Sequence, residues 1–262
     1  MFKKTNQQRL FEDLVNQIEG AILDGRLKAG DKLPSQRDLV SMFQTSRGPL
    51  REALRVLEQK GLLKIKRGVR GGAVVKHPGT APVSESLGLL IRHRKITLAE
   101  LAEFREGVEG SVASIAATRA TADDIEGMKN LLEKAEKDAA KGVDTWESFC
   151  EVDNQIHVAI AKAAGNRVYE FVMKMIHDNI QEYYKLHPLK DKQFMQENHQ
   201  DLRDIVTALE KKQETAVRAL MQSHVRRFNR YMSCQNKPLQ AIPYPDKQGG
   251  ASEHEKISRI RE

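Results

Sequence analysis

Four residues of this chain have the types and spacing to hold a cation. Asp153 and His157 stand four residues apart, so on a helix both fall on one face and can reach one point. That side also carries Phe149, Ile156 and Ile160, which makes it an inward face. His199 shares a stripe with Leu202, Val206 and Leu209, and His224 shares one with Val217, Leu220, Met221 and Phe228. Three imidazoles and one carboxylate thus point inward from three helical segments. A lone inward histidine is usually a satisfied core residue, but joint occurrence changes the reading. Buried polar groups are costly unless paired or coordinated, and imidazoles with a carboxylate around one centre suit a divalent metal.

Arg105 is the second anomaly. Leu98, Leu101, Arg105, Val108 and Val112 follow helical spacing, so this guanidinium starts from a largely apolar face. It can form a buried ion pair with Glu109 one turn on, or it can grip a ligand carboxylate through two N–H bonds. Asn179, in line with Val172, Ile176 and Tyr183, could add a polar contact. The remaining histidines, His177 among them, show no equally clear clustering. The chemistry is that of binding rather than turnover. No His-Glu-x-x-His arrangement accompanies the cluster, and Glu147 and Glu151 do not clearly share the inward position of Asp153. The chain is therefore not expected to be an enzyme.

The elements that must position these residues are helices almost throughout. Periodicity predicts segments at about 84–93, 97–119, 121–140, 145–164, 166–186, 192–211 and 213–232. Thr97 and Thr121 are suitable N-caps, and Gly142, Gly165 and Pro188 punctuate the series. Short connections between such helices imply an antiparallel all-α bundle of about six or seven helices over residues 84–234. Residues 235–262 are polar, with Pro, Gly and mixed charge, and are expected to form a mobile tail.

Ahead of the bundle and a linker at 78–83 lies a different module, residues 7–77. Leu10, Leu14, Ile18, Ala21 and Ile22 define a first helix from Gln8 to Asp24, closed by Gly25. Ser35 caps a second helix, with Asp38 three residues on as capping-box partner. Gln44-Thr45-Ser46 is a turn, and a third helix begins near Ser46 with Pro49 in its first turn. Leu50, Ala53, Leu54 and Leu57 form its buried stripe, while Arg47, Arg51 and Arg55 share another face. Leu62–Lys66 and Ala73–Val75 read as strands of a β-hairpin wing around the basic, glycine-rich turn from Arg67 to Gly72. A helix-turn-helix lays its second helix in the major groove, where arginine forks can grip guanine or phosphate.

The stretch LPSQRDLVSMFQTSRGPLREALRVLEQKGLL followed by KRGVRGGAVV resembles the winged helix-turn-helix of the GntR family of bacterial transcription regulators, and the likeness covers residues 8–76. It implies DNA contacts from Arg37, Arg47, Arg51 and the wing-tip pair Arg67 and Gly68, with Ser46 at the turn beside them. Gly48 departs from the pattern, since the family often has a β-hydroxy residue there. The order Asp-x3-His, His199, His224 resembles the FCD ligand-binding domain of the FadR subfamily, over roughly 84–232. The resemblance implies a divalent ion on Asp153, His157, His199 and His224, with zinc the expected metal and nickel or manganese the alternatives. It implies a small carboxylate effector held by Arg105, to which Asn179 would add the polar contact that its helical spacing suggests. It also implies a homodimer on a near-palindromic double-stranded operator, acting as a repressor that leaves DNA when the effector binds. Two alternatives stay open: a metal-dependent enzyme with a DNA-binding module, and a DNA binder with a purely structural metal.

Charge distribution agrees with this division. Of the formal +7, residues 1–77 hold sixteen Lys/Arg against eight Asp/Glu, so the positive charge sits in the N-terminal third. That asymmetry suits a polyanion-binding module joined to a domain with another task. No run of about eighteen apolar residues is present, so no membrane partner is expected. The start Met1-Phe2-Lys3-Lys4 is no secretory signal, and Cys150 and Cys234 match neither zinc-finger spacing nor a disulfide framework. A reducing cytoplasm is the expected location.

Overall fold

A computed structural model describes residues 7–66, 71–77, 79–93, 95–186 and 191–234. The fold is mainly α. Among the described residues it consists of a winged helix-turn-helix followed by a domain of seven α-helices.

In the first module, α1 (Gln7–Leu23), α2 (Gln36–Met42) and α3 (Arg47–Gln59) enclose a core of Leu14, Val15, Ile18, Leu39, Leu50, Ala53, Leu54 and Leu57. Ser35 caps α2 as expected, its Oγ accepting from the Asp38 amide at 3.2 Å and donating to the Asp38 carboxylate at 2.6 Å. The antiparallel hairpin β1 (Leu63–Lys66) and β2 (Gly72–Val75) pairs Leu63 with Val75 and Ile65 with Ala73. Glu58, near the end of α3, accepts from the Ile65 amide at 2.7 Å and so fixes the wing to the helix before it. The sequence did not signal that Lys32 bridges Val74 on the other side of β2, with the Leu33 amide bonded to the Ala73 carbonyl at 2.9 Å. The hairpin is thereby backed by a third extended segment.

Gly61, between α3 and β1, lies against the start of the second module. It follows α3 at φ +75°, a left-handed conformation that costs any residue with a Cβ. A Cβ there would also stand 2.9 Å from Cγ of Pro82. Pro82 is not linker, as the sequence had suggested, but lies in the first turn of α4 (Ala81–Arg92). Proline fits there because a first-turn N–H has no helical acceptor.

The second module continues with α5 (Leu98–Arg119), α6 (Ala122–Lys141), a 3₁₀ turn at Val143–Thr145, α7 (Trp146–Ala163), α8 (Arg167–Leu186), α9 (Lys192–Glu210) and α10 (Glu214–Cys234). Thr97 and Thr121 both form complete capping boxes, with Glu100 and Asp124. Each satisfies amides that would otherwise lack partners, at about 1 kcal/mol per cap. α5 and α10 approach closely through small residues: a Cβ on Gly110 would lie 2.7 Å from the Gln222 side chain. Ala113, Ala116 and Ala117 continue the α5 side of the core, which α7 completes with Phe149, Ile156 and Ile160. α7 lies between α6 and α8, and α9 packs against both α6 and α10. No helix among the described residues is long and apolar enough to cross a membrane.

Candidate nucleic-acid face and cation centre

On the first module, Arg37 lies in the first turn of α2, Ser46 precedes α3, and Arg47, Arg51 and Arg55 follow at one-turn intervals. All five side chains are exposed, whereas Leu50, Ala53, Leu54 and Leu57 take the buried side. Ser46 makes no side-chain cap bond, so its hydroxyl is not consumed by the helix it precedes. The result is a cationic helix face beginning at a helix N-terminus, where unpaired amides also favour phosphate. Arg67 and Gly68, expected at the wing tip, lie outside the described residues.

In the helical domain, α7 and α10 bring three of the four expected ligands together. His157 Nε2 and His224 Nε2 are 3.1 Å apart. The Asp153 Oδ1 lies 3.9 Å from the first and 3.7 Å from the second. All three side chains are buried, and Asp153 Oδ1 has no hydrogen-bond partner. Ligand atoms about 2.0–2.2 Å from zinc stand roughly 3.3 Å apart in a tetrahedron, so a small contraction of this triangle would close on an ion. A buried carboxylate oxygen without a partner, facing two imidazole nitrogens, is the donor set a divalent cation needs. Asp153, His157 and His224 would hold it, and the ion would supply a positive centre for an anionic ligand.

His199 is not in this group. Asp201 faces His224, and His199 lies two residues earlier, about 200° around the helix. Its ring meets the backbone of Leu132 on α6, with Glu136 nearby, while its Nε2 is buried without a hydrogen-bond partner. Burial, reinforced by Arg203, lowers its pKa.

Glu109 on α5, weighed from the sequence only as a partner for Arg105, turns out to be a hub. Its Oε1 accepts from Arg105 Nε at 2.5 Å and lies 3.3 Å from His177 Nε2. Its Oε2 meets Nδ1 of His157. Burial by itself would raise the Glu109 pKa, but Arg105, His157 and His177 together outweigh it and hold the carboxyl well below its ordinary value. His177, on α8, stacks on His157 at 4.5 Å between centroids. Burial pushes its pKa down to about 4, with Glu109 opposing, so the ring is neutral at physiological pH. The signal for His177 was its place beside Met173, Ile176 and Ile180 at helical spacing.

Arg105 is buried with its guanidinium carbon 5.3 Å from the Phe228 ring centroid. The ion pair with Glu109 uses Nε, and a carboxylate ligand would be gripped through Nη1 and Nη2. Asn179 lies elsewhere. It is two residues past His177, about 200° around α8. Its amide nitrogen is spent on Ser84 O and Oγ, both at 3.0 Å, and on Met175 O at 2.9 Å. Its Oδ1 fills the space over Gly88. It clamps α8 to α4, and the effector contact expected of it has no counterpart in this geometry.

A cationic winged helix-turn-helix joined to a helical domain with a buried polar centre defines a DNA-binding regulator. The profile of bacterial regulatory proteins of the gntR family matches residues 10–75, and that of the FCD domain matches residues 100–227. The chain belongs to the GntR family, as a DNA-binding transcription regulator with an FCD domain. The Uxu operon transcriptional regulator of Escherichia coli strain K12 is 29% identical over 236 residues, 86% of this chain and 87% of that protein. An uncharacterised HTH-type transcriptional regulator of Mycobacterium tuberculosis is 37% identical over 78 residues, so this chain spans only 31% of its length. A solved structure of a Streptococcus agalactiae GntR shares the fold, with a TM-score of 0.63 at 22% identity over 84% of this chain and 99% of that one.

Proposed function

We propose that this regulator is a cytoplasmic homodimer whose grip on a near-palindromic operator is set by a small organic acid, bound beside a divalent cation in the helical domain. The observation that carries this reading is the buried triangle of Asp153 Oδ1, His157 Nε2 and His224 Nε2, together with the buried Arg105. Two imidazoles and one carboxylate suit zinc, with nickel or manganese as further candidates. Three protein ligands leave coordination positions for a carboxylate oxygen. Arg105 pairs with Glu109, and Arg227 is shared by Asp201 and Glu197, so the pull on an anion would come from the ion itself, whose double charge exceeds the single charge of Asp153. The DNA contacts fall to Arg37, Ser46, Arg47 and Arg51, with Arg67 and Gly68 at the wing. A two-fold dimer matches two half-sites. An acid that binds one arrangement of the dimer better than the other shifts the balance, here toward release from DNA.

The test is a thermal-shift screen of hydroxy, oxo, dicarboxylic and sugar acids on metal-loaded protein, repeated on Arg105→Lys. Lysine keeps the charge opposite Glu109 but loses the fork. At least one acid should give saturable stabilisation and lower the affinity for operator DNA. Arg105→Lys should weaken that acid about tenfold or more, a loss of at least about 1.4 kcal/mol, while acid-free DNA binding stays the same. If no acid stabilises the protein, or the variant responds like the parent, the reading is wrong.

A further inference from the structure

The two histidines of the centre are each backed by the same sequence of groups. Behind His157, Nδ1 meets Oε2 of Glu109, whose Oε1 is bonded to Arg105. Behind His224, Nδ1 lies 3.5 Å from Oδ2 of Asp201. That carboxylate is gripped by Arg227, with Nε 2.9 Å from Oδ2 and Nη2 3.0 Å from Oδ1. Reading across the centre, the order is arginine, carboxylate, histidine, then histidine, carboxylate, arginine. The groups come from four helices: α5, α7, α9 and α10.

The arrangement has a consequence for the protons. A carboxylate facing Nδ1 of an imidazole holds a proton on that nitrogen, so Nε2 must present its lone pair. With both rings held this way, two lone pairs would face each other across the 3.1 Å between the Nε2 atoms, beside a carboxylate oxygen. That is an unfavourable meeting without a cation between them. The outer carboxylates therefore prepare the rings for metal and make their nitrogens more basic toward it. Each arginine keeps its carboxylate oriented and offsets the cost of its negative charge.

The two sides differ in depth. The Arg105 and Glu109 side chains are 4% and 3% exposed, while those of Arg227 and Asp201 are 36% and 17% exposed. Solvent screens the second pair, so the first should act more strongly on its histidine. Asp201 also needs to move about 0.5 Å closer to His224 to form a full hydrogen bond, which contraction around an ion would favour.

We propose that Glu109 and Asp201 are positioning residues for a divalent cation, each fixing the ring nitrogen with which His157 or His224 faces the ion, and each held in place by an arginine. This rests on the cation reading of the centre. The test uses full-length protein stripped of metal and titrated with Co²⁺, read by its visible absorption bands and by competition with a chelator. Asp201→Asn should weaken Co²⁺ about 10- to 100-fold and shift the bands, and Glu109→Gln should weaken it more. Asp201→Glu should restore most of the affinity, which a merely structural role would not require. Glu109→Gln leaves Arg105 buried without a counter-charge and risks misfolding. The partly exposed Asp201 variants then carry the test alone, with circular dichroism to show that they are folded. Parent protein that binds Co²⁺ while folded Asp201→Asn binds within twofold and with unshifted bands overturns the positioning role alone. Parent protein that binds no Co²⁺ overturns both this role and the cation reading.

Discussion

His224→Ala is expected to lose its bound divalent metal, whereas His199→Ala keeps it. Both histidines are buried and both are on inward stripes, so a sequence-level argument treats them alike. The structure separates them. His224 Nε2 is 3.1 Å from His157 Nε2 and 3.7 Å from Asp153 Oδ1, while His199 faces α6. Removing one of three ligands should reduce affinity by more than the roughly 10- to 100-fold typical of losing an outer-shell partner. Removing His199 costs packing and a polar contact, which shows as stability and not as stoichiometry. Elemental analysis of the variants, purified without chelator and checked for folding, decides it. Equal metal loss in both variants would return His199 to the centre and displace the three-ligand description.

The second large effect is on DNA. Arg51→Ala and Arg47→Ala should each weaken operator binding by about 1–3 kcal/mol if they reach base edges. Both side chains are exposed on α3, opposite Leu50, Leu54 and Leu57, so neither substitution should disturb the core. Salt dependence separates the possible roles. An arginine on a phosphate lowers affinity for all sequences and reduces the salt slope by about one, while an arginine on a base relaxes specificity at one position. Fluorescence anisotropy with a selected operator and a scrambled duplex, at several salt concentrations, reads both quantities. Unchanged affinity in both variants would remove α3 from the groove.

Much of the DNA module was legible because its signals are local. Ser35 and Ser46 mark helix starts, Gly61 marks an end, and the Leu50–Leu57 stripe fixes which side of α3 is buried. The extended segment at Asp31–Leu33 was not legible, since its pairing with β2 is non-local and its sequence does not alternate. The helical domain was legible as helices and as inward faces. It was not legible as neighbours. On α9, Phe194, Met195, Asn198, His199, Leu202, Ile205 and Val206 are all buried, because α6 covers one flank and α10 another. Periodicity says that His199 is inside but not which flank it serves. The same holds for Asn179, which is turned toward α4 and not toward Arg105. Conversely, Glu109 reads from the sequence as half of an ion pair, and only the packing of α7 and α8 around α5 shows that it meets two histidines as well.

The most direct measurement is X-ray diffraction from crystals grown without chelator, with data collected on both sides of the absorption edge of the metal found by elemental analysis. A single anomalous peak within bonding distance of Asp153 Oδ1, His157 Nε2 and His224 Nε2, with Glu109 and Asp201 behind the two rings, is the expected result. A peak bound by His199, or crystals of folded protein with no peak between α7 and α10 even after soaking in zinc, nickel or manganese, would contradict the account.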